Sequence, residues 1–475
     1  MVANAATVTP AGHEAAELRF RNRLILGLGL STVALLGLSY AQRKAWRDFF
    51  LECSTVGALE QVGADSFAGG LRRYLYANGI KIVKIDNSGQ PLQFPAALLR
   101  LPCLTTLHLT NAALDTLPTS IAQLTTLRLG NCTALESLGL KSNSLQELPA
   151  SIGRLHSLHS LYLTDNELTT LPIAMSHLTS LVKLQASFNR LASLPEGLAC
   201  LRRLQLMRVA VNKLQEVPAS FSCLQSLAWF SLAGNPACPA PLLARAEIAQ
   251  VKPEEVELGQ CLGEGASGEV FAARWGGRDV AVKVFKAETS PDGRAVDEIA
   301  VTCCIDHPNL IRVLGHMAKP HALVLRLVQG APMAEKPTVQ SLLRCRWAPG
   351  SLAGEFVVRA AAGVAAALEH LHAHHICHGD VYAHNCLADK DGNVTLCDYG
   401  ASFFYQPNTV PYEKHEVLAY GIMLGDMVAR LEPNSSFHAE LQQLHCACTS
   451  RPAISRPSFG EVSKQLAQLI AKLPR

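Results

Sequence analysis

Asn143, Asn166, Asn189, Asn212 and Asn235 stand 23 residues apart without a slip, each closing the same frame. Leu135-x-x-Leu138-x-Leu140-x-x-Asn143 returns as Leu158, Leu161, Leu163 and Asn166, then as Leu181, Leu184, Ala186 and Asn189, then as Leu204, Met207, Val209 and Asn212. A second signature follows the first four asparagines: Leu148-Pro149, Leu171-Pro172, Leu194-Pro195 and Val217-Pro218. One such unit cannot bury its apolar face alone, so a fixed period of this length means copies stacked into a solenoid. The x-L-x-L stretch predicts a short strand whose leucines enter a shared core. The asparagine side chain can bond the backbone where the strand turns away, and proline ends the pairing.

These residues resemble the leucine-rich repeat. Leu104-x-x-Leu107-x-Leu109 with Leu117-Pro118 is a further copy in which Ala112 replaces the asparagine. An insertion around 127–134 breaks the register, and Ile80 to Leu104 reads as a degenerate first repeat, giving a solenoid over 80–240. The repeating aliphatic frames account for a chain that is 49% hydrophobic and 17% charged, which excludes global disorder. A net charge of +3 gives no argument for a nucleic-acid partner. Fifteen cysteines, with no C-x-x-C pair, read as free thiols of a reducing compartment. Function in a solenoid lives on the concave face. There Tyr162, Phe188 and Arg208 would suit a protein ligand if exposed, the other reading being an ordinary mixed surface.

Residues 1–79 precede the repeats. Leu24 to Ala41 are 18 consecutive uncharged residues, the lower edge of a bilayer span, with basic residues on both flanks. Two readings stay open: a single-pass membrane anchor, or a buried helix packed on the neighbouring domain.

After a linker over 241–254 the pattern changes to alternation. Gly263-Glu264-Gly265-Ala266-Ser267-Gly268-x-Val270 is followed by a second alternating strand and then Val280-Ala281-Val282-Lys283. A dinucleotide-binding turn needs a helix straight after the glycines, and none is expected here. Further on come Glu298, 15 residues after Lys283, then His378-Gly379-Asp380 with Asn385 five residues on, then Asp398-Tyr399-Gly400. In this order the motifs over 255–475 resemble a protein kinase, and the whole chain a leucine-rich-repeat protein kinase. The fold class implied is an α/β leucine-rich-repeat solenoid followed by an α+β bilobal kinase-like domain.

The resemblance implies roles. Residues 263 to 268, Val270 and Lys283 would hold ATP, with Glu298 pairing Lys283. Asn385 and Asp398 would hold Mg²⁺, and Asp380 would take or orient the substrate hydroxyl proton. It also implies serine/threonine specificity before tyrosine, and a cytoplasmic setting.

Several positions depart from the family pattern. Gly379 stands where an arginine is usual, no A-P-E follows, and 15 residues separate Gly400 from Glu416. Arg456 lacks the glutamate such an arginine normally pairs with, and Glu413 or Glu416 is the expected substitute. Tyr382 and His384 stand where the family carries a cation, and a protonated His384 would supply part of that charge. The histidines between 370 and 384 read as a helix end entering the catalytic loop rather than a metal site. These departures keep a second expectation open, an ATP-binding pseudokinase that serves as a scaffold.

Overall fold

The computed structural model describes residues 24–27, 82–87, 104–125, 135–239 and 248–474, with isolated positions between 92 and 99, and apart from 266, 291, 339–340, 342 and 408–409. Ala266, residues 28–41 of the apolar segment and the insertion at 127–134 lie outside them. The chain divides into two compact units, residues 1–184 and 185–475.

In the first unit, β1 (Leu24–Gly27) pairs antiparallel with β2 (Ile82–Asp86). β3 (Thr106–Thr110), β4 (Ser137–Gly139) and β5 (Ser160–Tyr162) follow in parallel register. So the degenerate first repeat supplies a true repeat strand, while Leu24–Gly27 is a strand and not part of a helix. Among the described residues no helix is long and apolar enough to cross a membrane. Leu107, Leu109, Leu138, Leu161 and Leu163 are fully buried, as alternation along a pleated strand requires. Pro149 and Pro172 each open a short 3₁₀ turn on the convex side, at Ala150–Arg154 and Ile173–His177. These turns stack so tightly that a Cβ on Gly153 would lie 2.2 Å from the Ala174 carbonyl oxygen.

The asparagine ladder does what the spacing predicts. Asn166 accepts from the Leu145 amide at 3.1 Å and donates to the carbonyls of Leu140 and Leu163 at 2.9 and 3.0 Å. Each side chain thus satisfies buried backbone groups that no strand partner reaches.

β6 (Lys183–Gln185) lies at the unit boundary. In the second unit β7 (Leu206–Arg208) and β8 (Trp229–Ser231) run parallel. Every residue of these two strands is buried, whereas β3 to β6 each carry at least one partly exposed residue.

The kinase-like part begins with β9 (Ala249–Gln250), β10 (Val256–Glu264), β11 (Gly268–Trp275) and β12 (Arg278–Phe285). A small hairpin, β13 (Thr289–Ser290) and β14 (Gly293–Arg294), leads into helix α1 (Ala295–Cys303). β15 (Val313–Met317) and β16 (Ala322–Arg326) complete a six-stranded sheet ordered β10-β11-β12-β16-β15-β9. Its core is Val280, Val282, Met317, Ala322 and Val324. The helical half contains α2 (Gly354–Ala373), α3 (Tyr412–Val428), α4 (His438–Cys448) and α5 (Phe459–Ile470). α5 starts with a capping box, in which Ser458 accepts from the Glu461 amide and Glu461 from the Ser458 amide. The catalytic-loop motif lies between the two halves.

Candidate active site

The register of β11 and β12 sets Val270 opposite Lys283, placing the lysine directly beneath the glycine loop. Gly268 belongs there for a steric reason, since a Cβ would come within 2.4 Å of the Val284 carbonyl oxygen. The Gly265 amide donates to the Gly268 carbonyl at 2.8 Å, closing the loop, and the Lys286 amide ties Ser267 to the sheet at 3.2 Å. Glu264 is exposed and its side chain pairs with Lys286, which leaves the loop backbone as its expected contribution.

Lys283 Nζ lies 2.5 Å from Glu298 Oε1 on α1 and 3.2 Å from Asp398 Oδ1. Burial alone would lower the lysine's pKa, but the carboxylates of Asp398 and Glu298 reverse that and hold it firmly charged. The same lysine pulls Asp398 down to about 2. Burial raises the Glu298 carboxyl against the lysine's attraction. One cation between two carboxylates on separate elements fixes α1 and the Asp-Tyr-Gly turn at once.

On the other side of the cleft, Asn385 donates to the Asp380 side chain at 3.0 Å and to its carbonyl at 2.8 Å. The Cys397 amide bonds the Asn385 carbonyl at 2.9 Å, linking the catalytic loop to the strand before Asp398. His378 is fully buried and its Nε2 meets the Cys397 carbonyl at 3.1 Å. Below them Glu416 of α3 accepts from the His378 and Gly379 amides at 3.2 and 2.8 Å and from His372 at 2.7 Å. His372, Cys377 and Glu416 are close enough to invite a metal reading. Both carboxylate oxygens of Glu416, however, already accept from donors of the fold.

Asp398 and Asn385 offer a carboxylate and an amide oxygen, the hard donors that Mg²⁺ prefers, and the Asp398 side chain is 47% exposed. The donor set fits a nucleotide-bound divalent ion.

The comparisons agree with this geometry. Residues 256–417 match the protein tyrosine and serine/threonine kinase family, and residues 133–191 match the leucine rich repeat. Residues 256–417 are a protein kinase domain. The chain is 29% identical over 251 residues to a probable serine/threonine-protein kinase of Dictyostelium discoideum, covering 48% of this chain and 15% of that one. A probable LIM domain-containing serine/threonine-protein kinase of the same organism is 26% identical over 239 residues, covering 45% and 36%. The tyrosine-protein kinase transforming protein Fps of avian sarcoma virus is 25% identical over 264 residues, covering 45% and 48%. The chain thus spans less than half the length of each of these relatives.

Three expectations need correction. Arg208 is not an exposed ligand contact: only 2% of its side chain is accessible, because the kinase domain covers it. Its guanidinium pairs with Asp380, donates to the Gly379 carbonyl at 2.8 Å and lies 2.9 Å from Asp292. Burial works against the arginine's charge, and the carboxylates of Asp380 and Asp292 restore it. Arg456 pairs with neither Glu413 nor Glu416. Its donors go to the carbonyls of Lys414 at 2.7 Å, Gln225 at 2.6 Å and Ser450 at 3.2 Å, because Glu416 is taken by the catalytic loop and Glu413 by the Tyr405 hydroxyl. His384 does not supply a charge, since burial lowers its pKa and its Nδ1 faces Cys345 Sγ at 3.4 Å. Tyr382, the other residue standing at a cation position of the family, is buried. It lies fully parallel to the Trp229 indole, centroids 4.5 Å apart, and Trp229 Nε1 donates to the Val381 carbonyl at 2.9 Å.

Sequence reasoning missed Asp292 and Trp229. The signal for both was indirect: a lone arginine at a variable strand position and a lone glycine in the catalytic loop are two departures that satisfy each other.

Proposed function

We propose that this chain is an ATP:Mg²⁺-dependent protein kinase that transfers the γ-phosphoryl group to a serine or threonine hydroxyl of a protein, acting in signal transduction. The observation carrying this reading is the Lys283–Glu298–Asp398 triad, 2.5 and 3.2 Å apart, together with the Asn385 side chain bonded to the Asp380 carboxylate at 3.0 Å. Lys283, positioned by Glu298, would hold the α- and β-phosphates under the cover of the glycine loop. Asn385 and Asp398 hold the metal, which neutralises phosphate charge when bound. Asp380 orients the acceptor hydroxyl and receives its proton, while Asn385 keeps the Asp380 carboxylate in place. The relatives named serine/threonine kinases support the choice of hydroxyl.

The repeats supply protein recognition. Tyr162, half-buried against His108 with Lys183 over its ring at 5.4 Å, and the partly exposed Phe188 remain the candidate contacts for an outside protein. All twelve described cysteines are free, in keeping with a cytoplasmic setting.

Label transfer from γ-labelled ATP to a generic protein substrate tests the proposal. Asp380→Asn should abolish the wild-type signal. Nucleotide binding with no transfer above the Asp380→Asn control, in the wild-type chain and equally after Arg208→Met frees the Asp380 carboxylate, would instead make the chain a scaffold. The engaged state of Asp380 is the observation that favours this second reading.

A further inference from the structure

We propose that the last two repeats are a built-in plug, which closes the catalytic loop to protein substrates until those repeats are displaced. The inference rests on the kinase reading above and concerns its regulation.

Asp380 can act on a substrate hydroxyl only if that oxygen comes within hydrogen-bond reach of its carboxylate. Both carboxylate oxygens are engaged: Oδ1 by the Arg208 guanidinium and Oδ2 by Asn385. Asn385 belongs to the same loop and would stay in a working kinase. Arg208 comes from the solenoid, 172 residues away in sequence, and stands where an acceptor side chain would have to enter. Two residues on, the Trp229 indole covers Tyr382 face to face. In the next layer Phe230 packs on Phe403 and Tyr412, so the short segment after Asp398 is also held.

The departure at Gly379 has its explanation here. A Cβ at this position would lie 2.6 Å from both the Phe230 and Ala401 carbonyl oxygens. Any larger residue, the family's arginine included, would push the β8 strand off the loop. The glycine lets the strand approach, and Arg208 brings a cation to the catalytic aspartate from outside the domain. Asp292, at the hairpin before α1, completes the grip at 2.9 Å, and the Ser231 hydroxyl donates to the Asp292 carbonyl, also at 2.9 Å.

The hold is selective. Arg208, Trp229, Phe230 and Ser231 reach Asp292, the catalytic loop and the segment after Asp398, while Lys283 pairs with Glu298 and Asp398. The plugged enzyme should therefore bind ATP normally and fail to reach protein substrates.

The test uses the full chain. Arg208→Met keeps the aliphatic stem in the repeat and removes the charge, and Trp229→Ala is a second, independent release. Each should raise phosphorylation of an added peptide about tenfold or more, since a buried ion pair broken on one side is strongly disfavoured. The KM for ATP should change little, and amides 378–385 should exchange hydrogen faster in both variants. Adding Asp380→Asn must remove the gained signal. Variants with activity at or below that of an active wild type would overturn the plug, and would instead make Arg208 a positioning residue for Asp380. Unchanged exchange across 378–385 would also overturn it. Faster exchange with no transfer by any variant would overturn the kinase reading itself, and the plug with it.

Discussion

At the scale of single residues, the site is built from charges that stabilise one another. Lys283 is the clearest case, since it is buried yet holds its proton because two carboxylates face it. Lys283→Met should lower phosphotransfer by about 10²-fold or more, measured as initial rate at saturating ATP, because a positioned charge on the transferring group is lost. His415 shows the opposite balance. It is buried in α3, and burial together with the nearby Arg456 lowers its pKa to about 3. Between pH 6.5 and 3 the unfolded chain therefore binds a proton that the folded chain refuses, so stability falls as pH drops through that window. The expected loss from this group between pH 7 and pH 5 is about 2 kcal/mol. Replacing His415 with leucine should reduce the pH dependence of the urea midpoint by a comparable amount. An unchanged dependence would mean that His415 titrates normally.

At the scale of elements, the repeat depends on its asparagines. Asn212 is buried, accepts from the Leu191 amide at 3.0 Å and donates to the Ala186 and Val209 carbonyls at 3.0 Å each. Asn212→Ala leaves these buried groups unpaired and should destabilise the second unit by about 2–4 kcal/mol, read from the denaturation midpoint at constant m-value. The convex turns are equally specific. Gly153→Ala should destabilise the first unit by more than the usual fraction of a kcal/mol for such a change, because its Cβ meets backbone at 2.2 Å. The repeat frame was legible in sequence because its period forces the same residue type into the same place every 23 residues. The kinase motifs were legible because phosphate binding demands glycines, a lysine and acids in a fixed order.

At the scale of the molecule, the sequence left the most important relationship hidden. The boundary between compact units falls at 184/185, inside the run of repeats, so the last repeats belong with the kinase domain. No period or motif signals this, because the contacts join residues 61 to 231 positions apart, each made once. What could be read were their separate traces, an arginine on a variable strand position and a glycine before the catalytic aspartate. The expected role of Arg208 in binding an outside ligand was wrong in partner and right in kind, since it does sit at a protein contact, with its own kinase domain.

The central claim is that Asp380, Asn385, Lys283, Glu298 and Asp398 form a working phosphotransfer site. The most direct measurement is transfer from γ-labelled ATP to a protein substrate by the Arg208→Met chain, with and without Asp380→Asn. Strong transfer that vanishes with the aspartate is the predicted result. Equal labelling by both proteins, or none by either while ATP still binds, would contradict the account.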